Sequence, residues 1–186
     1  MRMQHGFTLI ELLVTLTIVS ILMFVASPSL QAFQRNAEMS AVSSTMLSSI
    51  NAARGEAMKR ARNTFLSPAD GANLQSGWVV YVDMDNSRSL TNGDFTVTSA
   101  RAIPNYLNVT GNRTIANSPP YLMFDASGYP RDLAGGFAAL TLSIARNDVT
   151  ASEQLSNTRR LIIASTGRVR LCNPSTDTTC TANANI

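Results

Sequence analysis

The sequence predicts an α+β fold: one long N-terminal helix with a small antiparallel β-sheet domain laid against it. Three observations carry this reading. An almost unbroken apolar run opens the chain, an apolar stripe at helical spacing follows it, and beyond Asn63 the pattern changes to seven short β-like runs separated by turn clusters. At 186 residues, 45% of them hydrophobic, the chain has room for one domain and an appendage. A formal charge of +3 is too mild to define a partner by itself, so the placement of the charges matters more than their sum.

From Phe7 to Ala26 the only residues that are not apolar are Thr8, Glu11, Thr15, Thr17 and Ser20. As a helix this run spans about 30 Å, the thickness of a bilayer core. A cleaved secretory signal fits poorly. The run exceeds the usual 7 to 15 residues or so, it contains a carboxylate, and cleavage after Ser27 would put Pro28 directly beyond the cut. A generic anchor suits Arg2 on the short N-terminal side, whereas a buried core helix is awkward for so apolar a stretch at this position. Glu11 separates the alternatives. A carboxylate within such a run costs roughly 2.5 to 3.5 kcal/mol on insertion scales, and the segment holds no cation to pair with it. Cleavage between Gly6 and Phe7 would create an α-amino group one helical turn before Glu11, available to its own Glu11 or to that of a neighbouring subunit.

Gly6-Phe7-Thr8-Leu9-Ile10-Glu11-Leu12-Leu13-Val14 resembles the class III leader and N-terminus of type IV pilins and type II secretion pseudopilins. The resemblance implies cleavage after Gly6 by prepilin peptidase, N-methylation of Phe7, and a Glu11 that aligns subunits during assembly with other pilins through the N-terminal helix. The expected organisation is a leader at 1–6, a helix over 7–62 with a transmembrane and assembly segment at 7–26, and a β-rich globular domain at 63–186. Such a chain is expected in the inner membrane as a single-pass protein before assembly. Afterwards it belongs to a pilus, with the globular domain periplasmic or extracellular. Cys172 and Cys180 lie close together in a chain that a membrane segment would export, and a small disulfide loop is the natural reading, with free thiols as the alternative.

Pro28 is expected to kink or locally melt the helix by removing a backbone donor. Beyond it, Met39, Val42, Met46, Ile50, Ala53 and Ala57 recur at steps of three and four, a stripe that packs against the globular domain. Glu56 and Arg60 read as a solvent-facing i,i+4 pair, and Arg54, Lys59, Arg60 and Arg62 as a solvated helix end. The expected strands are Trp78 to Asp83, Phe95 to Ile103, Tyr106 to Thr110, Tyr121 to Phe124, Phe137 to Ala145, Arg159 to Ala164 and Arg168 to Cys172. Arg54-Gly55-Glu56-Ala57-Met58-Lys59-Arg60 and Gly77-Trp78-Val79-Val80-Tyr81-Val82-Asp83 resemble the helix end and first strand of the GspH/FimT family of minor pilins and pseudopilins. Gly55 stands where that family more often has Ser.

The residue inventory argues against catalysis. His5, the only histidine, lies in the expected leader, Lys59 is the only lysine, and the two cysteines are expected to bond to each other. Asp83 and Asp85 are a carboxylate pair of the kind found in turns. Asp83, Asp85, Ser87, Ser89, Thr91 and Asp94 match the ligand spacing of an EF-hand loop. Arg88, however, occupies the place that needs Gly, and Asp94 is short for the usual Glu. A strand-connecting loop is the expected reading, with no metal and no cofactor.

The C-terminal hairpin is more informative. Its two runs are joined by Ser165-Thr166-Gly167, and Arg168 and Arg170, two residues apart, point to one face of a strand about 7 Å from each other. From Leu155 to Leu171 there are four arginines, Arg159, Arg160, Arg168 and Arg170, and no acid. Guanidinium groups beside a Gly turn suit phosphate oxygens. Gly167-Arg168-Val169-Arg170 resembles the Gly-Arg-x-Arg motif of FimT-like minor pilins that bind DNA during natural transformation, which implies double-stranded DNA as the partner. The rival reading is a structural GspH-like pseudopilin whose arginines discourage edge-to-edge strand pairing. Mass spectrometry of filament-associated protein is expected to show a methylated Phe7 as the first residue; assembled filaments that retain residues 1–6 would contradict the pilin reading.

Overall fold

The computed structural model describes residues 7–183, with the side chains of 25–29 excepted. The expected leader, with His5 and Gly6, lies outside the described residues. Helix α1 spans Leu9–Arg60, followed by β1 (Thr64–Pro68), β2 (Trp78–Val82), β3 (Phe95–Ala100), β4 (Leu107–Gly111), β5 (Leu122–Phe124), β6 (Pro130–Arg131), β7 (Leu140–Arg146), β8 (Thr158–Ile163) and β9 (Val169–Cys172). Each of the seven expected runs overlaps a strand. Two strands were not expected. β1 is separated from the helix by three residues and ends on a proline, and β6 is two residues long at a sheet edge, where Pro130 withholds no ladder donor that a neighbour needs.

The strands form two antiparallel sheets instead of one. The first runs β3-β2-β1-β5-β6 and the second β4-β7-β8-β9. The unexpected β1 is central to the first, since it pairs with both β2 and β5.

The chain divides into two compact units, Met1–Glu38 and Met39–Ile186. In the first, the large apolar side chains from Phe7 to Phe24 are exposed. Glu11 finds its partners one turn away in Thr8, without a cation. Its Oε2 accepts from both the backbone N–H and the hydroxyl of Thr8 at 2.9 Å, while Thr8 Oγ1 accepts from the Glu11 N–H at 3.3 Å. This is a capping box, which satisfies orphan donors of the first helical turn. The hydroxyls of Thr15, Thr17 and Ser20 donate to backbone carbonyls three or four residues earlier, so the polar groups of the run are satisfied inside the helix. Among the described residues no helix is long and apolar enough to cross a membrane. The span expected at 7–26 runs into 25–29, whose side chains are not described, and α1 runs through Pro28 as one helix, without the local melting expected there.

In the second unit the helical stripe is buried as expected. Met39, Met46, Ile50, Ala53 and Ala57 are fully buried, with Val42 packed against them. They share one core with Leu66, Trp78, Val80, Leu122 and Phe124 of the first sheet and with Leu107, Leu140, Leu142, Ile144, Leu161 and Ile163 of the second. Both sheets therefore bury one face against the same helical segment. The Trp78 indole N–H is satisfied in this core by donating to Ser49 Oγ at 2.9 Å.

The basic helix end is less solvated than expected. Arg60 Nε lies 2.6 Å from Glu56 with both side chains largely covered, and its guanidinium carbon sits 3.7 Å from the centroid of Phe95. Arg54 turns toward the domain, where its guanidinium reaches the carbonyls of Gly128 and Thr166.

Candidate nucleic-acid interface

The arginine hairpin takes its geometry from pairing register. β8 and β9 pair antiparallel with Arg160 opposite Cys172, Leu161 opposite Leu171, Ile162 opposite Arg170 and Ile163 opposite Val169. Opposed residues share a face and successive residues alternate, so Leu161, Ile163, Val169 and Leu171 point to the core. Arg160, Ile162 and Arg170 point away from it. The Ala164 N–H donates to the Arg168 carbonyl at 2.9 Å, which extends the ladder and puts Arg168 on the same outer face, two residues from Arg170.

Arg159 belongs to the other face. It pairs with Ile144, its Nη1 donates to the carbonyls of Ser156 and Thr158 at 3.0 and 2.9 Å, and burial pushes its pKa down. The four arginines singled out in the sequence therefore divide three to one.

The three outer arginines differ in occupancy. Arg168 is exposed and its guanidinium has no hydrogen-bond or ion-pair partner among the described residues. Arg170 is held by the segment between the cysteines. Its Nη1 donates to Asp177 Oδ2 at 3.0 Å and to Thr179 Oγ1 at 2.8 Å, and its Nη2 donates to the Thr179 carbonyl at 2.9 Å. Arg160 Nη1 donates to the Cys180 carbonyl at 2.6 Å, while its Nε is buried with no partner among the described residues. Cys172 and Cys180 are disulfide-bonded with their Cα atoms 5.9 Å apart, which ties this segment beside the hairpin. Hydrogen bonds from Thr179, with the Arg170 charge adding to them, hold the Asp177 carboxyl below the usual range. A shallow depression of about 320 Å³ lies between Ile162, Ala164, Arg168, Arg170 and Thr179.

Gly167 has a packing role that the motif alone does not reveal. Its φ is +79°, and a Cβ there would stand 2.2 Å from the Gly128 carbonyl oxygen and 2.8 Å from Arg54 Nε. Two turns meet at this point, and Arg54 bridges them: Nε donates to the Gly128 carbonyl and Nη2 to the Thr166 carbonyl, both at 3.1 Å. Arg54 is a tie between the helix and two turns, not part of a solvated helix end. Its signal in the sequence was only its place in the basic cluster.

In the loop between β2 and β3, the carboxylates of Asp83, Asp85 and Asp94 come within 4.8 Å of one another. They are engaged by the loop itself. Asp83, fully buried, accepts from the backbone N–H groups of Ser87 and Arg88, Asp85 accepts from Ser87 and Thr91, and Asp94 accepts from Met84 and Thr91. Burial pushes the Asp83 carboxyl up. These bonds describe an Asx-turned connecting loop.

A helix whose C-terminal half is buried under antiparallel sheets, and whose N-terminal apolar run is exposed, defines a pilin-like α+β protein. The chain belongs to the GspH family: the model of the type II transport protein GspH matches residues 43–167, and that of the prokaryotic N-terminal methylation motif matches residues 1–27. Among solved structures it is similar to the type IV minor pilin FimU of Pseudomonas aeruginosa PAO1, with 18% identity, 77% of this chain and 94% of that chain covered, and a TM-score of 0.57. It is also similar to the minor pseudopilin EpsH from the type 2 secretion system of Vibrio cholerae, with 14% identity, 74% and 98% coverage and a TM-score of 0.51. At these identities the likeness is one of fold. No curated protein matches significantly.

Gly167→Ala is expected to destabilise the protein by at least about 1 to 3 kcal/mol, since it adds backbone strain to a clash with a carbonyl. Denaturant unfolding checks this, and wild-type stability would mean that the two turns separate without cost.

Proposed function

We propose that this chain is a minor pilin of a type IV pilus that binds double-stranded DNA through the outer face of β8 and β9 and contributes to DNA uptake in natural transformation. The observation that carries this reading is the shared face of Arg160, Arg168 and Arg170, with Arg168 open to solvent. Three guanidinium groups along one hairpin match the repeated anionic oxygens of a nucleic-acid backbone. Such contacts fix a protein on the duplex without reading bases, so binding is sequence-independent. Gly167 supports the site indirectly by letting the hairpin turn pack against Gly128, and Arg159 has no part in it.

In this reading prepilin peptidase cuts after Gly6, Phe7 is methylated, and the protein is held in the inner membrane by its N-terminal run until assembly. The exposed apolar residues between Phe7 and Phe24 then meet other pilins, with Glu11 aligning the subunits. The chain is a filament subunit and not an enzyme, in keeping with its family.

The second reading is a structural pseudopilin of a type II secretion system without DNA binding. Two observations favour it: the Gly of the motif has a packing explanation of its own, and Arg170 and Arg160 already have acceptors within the protein.

DNA binding by the full chain in non-ionic detergent separates the two. With three arginines on phosphates, log K against log salt has a slope of about −2.7, and Arg168→Ala with Arg170→Ala makes it shallower by roughly two units. Arg159→Ala is expected to bind like the wild type. Wild-type protein that binds no DNA at low salt, or a folded double variant that binds equally well, would favour the structural pseudopilin.

A further inference from the structure

Resting on the DNA-binding reading, we propose that the disulfide loop is an internal occupant of the arginine site: Asp177 Oδ2 stands at Arg170 where a phosphate oxygen would stand, and DNA binds by displacing it. Among the described residues, every acceptor of the Arg170 guanidinium comes from this loop, one carboxylate oxygen and two oxygens of Thr179, and the Arg168 guanidinium on the same face has none. The loop thus covers one guanidinium and leaves its neighbour open.

The two carboxylate oxygens have separate tasks. Oδ1 accepts from the Thr179 N–H at 2.9 Å and from the Thr179 hydroxyl at 2.7 Å, which shapes the loop, whereas Oδ2 alone reaches Arg170. The loop can therefore release the arginine and keep its turn. The pair is also accessible, with Arg170 36% and Asp177 33% exposed, so exchange with a ligand needs no unfolding.

The tether gives this contact a consequence for ligand choice. A carboxylate held beside its partner by a short closed loop has an effective concentration on the order of millimolar or more. A free phosphate or a mononucleotide offers Arg170 nothing that the carboxylate does not already supply. A continuous phosphodiester backbone reaches Arg168 first and Arg170 second, and the combined contacts outcompete the single internal one. The loop makes the site selective for polymeric phosphate.

The test uses the full chain in non-ionic detergent and a labelled duplex of about 30 base pairs. Asp177→Asn retains the Oδ1 acceptor and turns Oδ2 into an NH2 group that cannot accept from Arg170. Asp70→Asn is the control, because Asp70 Oδ1 likewise accepts from backbone N–H groups, in a loop of the other sheet. D177N is expected to bind DNA roughly three- to tenfold more tightly than the wild type with the same salt slope, since the same three arginines meet phosphates in both, and, with the duplex kept below both dissociation constants, to release it at lower inorganic phosphate; D70N stays near the wild type. If circular dichroism shows D177N misfolded, wild-type protein reduced with dithiothreitol decides: untying the loop is expected to tighten binding, and weaker binding overturns the inference. Equal affinities for D177N and D70N, with DNA bound by the wild type, overturn this inference and leave the DNA reading standing. If neither the wild type nor D177N binds DNA at low salt, the DNA reading falls and this inference falls with it.

Discussion

The alternation of β8 and β9 against one helical stripe governs where the arginines go. Leu161, Ile163, Val169 and Leu171 are drawn to the core that contains Met46, Ile50, Ala53 and Ala57, and strand geometry then sends Arg160, Arg168 and Arg170 the other way. A slip of one residue in this pairing would bury guanidinium groups and expose the apolar set, so hydrophobic burial pins the register strongly. The hairpin turn pins it a second time. Gly167 closes the turn with its N–H on the Ala164 carbonyl at 2.8 Å, and Arg54 ties the neighbouring carbonyl to the turn at Gly128.

The remaining electrostatics separate structural arginines from available ones. Arg131 lies 2.7 Å from Asp125 and 3.9 Å from the centroid of Phe137, so it is both paired and stacked. Burial pushes the Asp125 carboxyl up, but the Arg131 hydrogen bond and two backbone donors outweigh it and hold the group below its ordinary range. Arg146 is likewise buried against Asp148 at 2.8 Å. These cations brace loops. The outer face of the second sheet is different: Arg168 is open, and Arg170 has a partially exposed partner in a tethered loop. β9 is also a sheet edge, and charged side chains there discourage pairing with another strand whether or not DNA is bound.

Much of this was legible in the sequence. The 3.6-residue periodicity from Met39 to Ala57 marks a buried helical face, and alternation in the last two strands places Arg168 with Arg170. β1 escaped because Thr64-Phe65-Leu66-Ser67-Pro68 is short, ends on proline and follows the helix without a turn cluster, although it is central to its sheet. The division into two sheets depends on which strands pair at long range, and no local pattern encodes that. The roles of Arg54 and Gly167 rest on two turns that are distant in sequence. The capping box is legible in the Thr8-x-x-Glu11 spacing, and it gives the carboxylate donors in its own first turn without any cation. Asp177 fell beyond the stretch in which arginines outnumber acids, and only the disulfide brings it back to Arg170.

The central claim is that the outer face of β8 and β9 is the DNA-contacting surface. Titration of duplex DNA into arginine-labelled protein, followed through the side-chain Nε–H resonances by NMR, tests it most directly. The resonances of Arg168, Arg170 and Arg160 should shift together, while those of Arg159 and Arg131 stay in place. Shifts confined to arginines outside that face, or none at low salt, would contradict it.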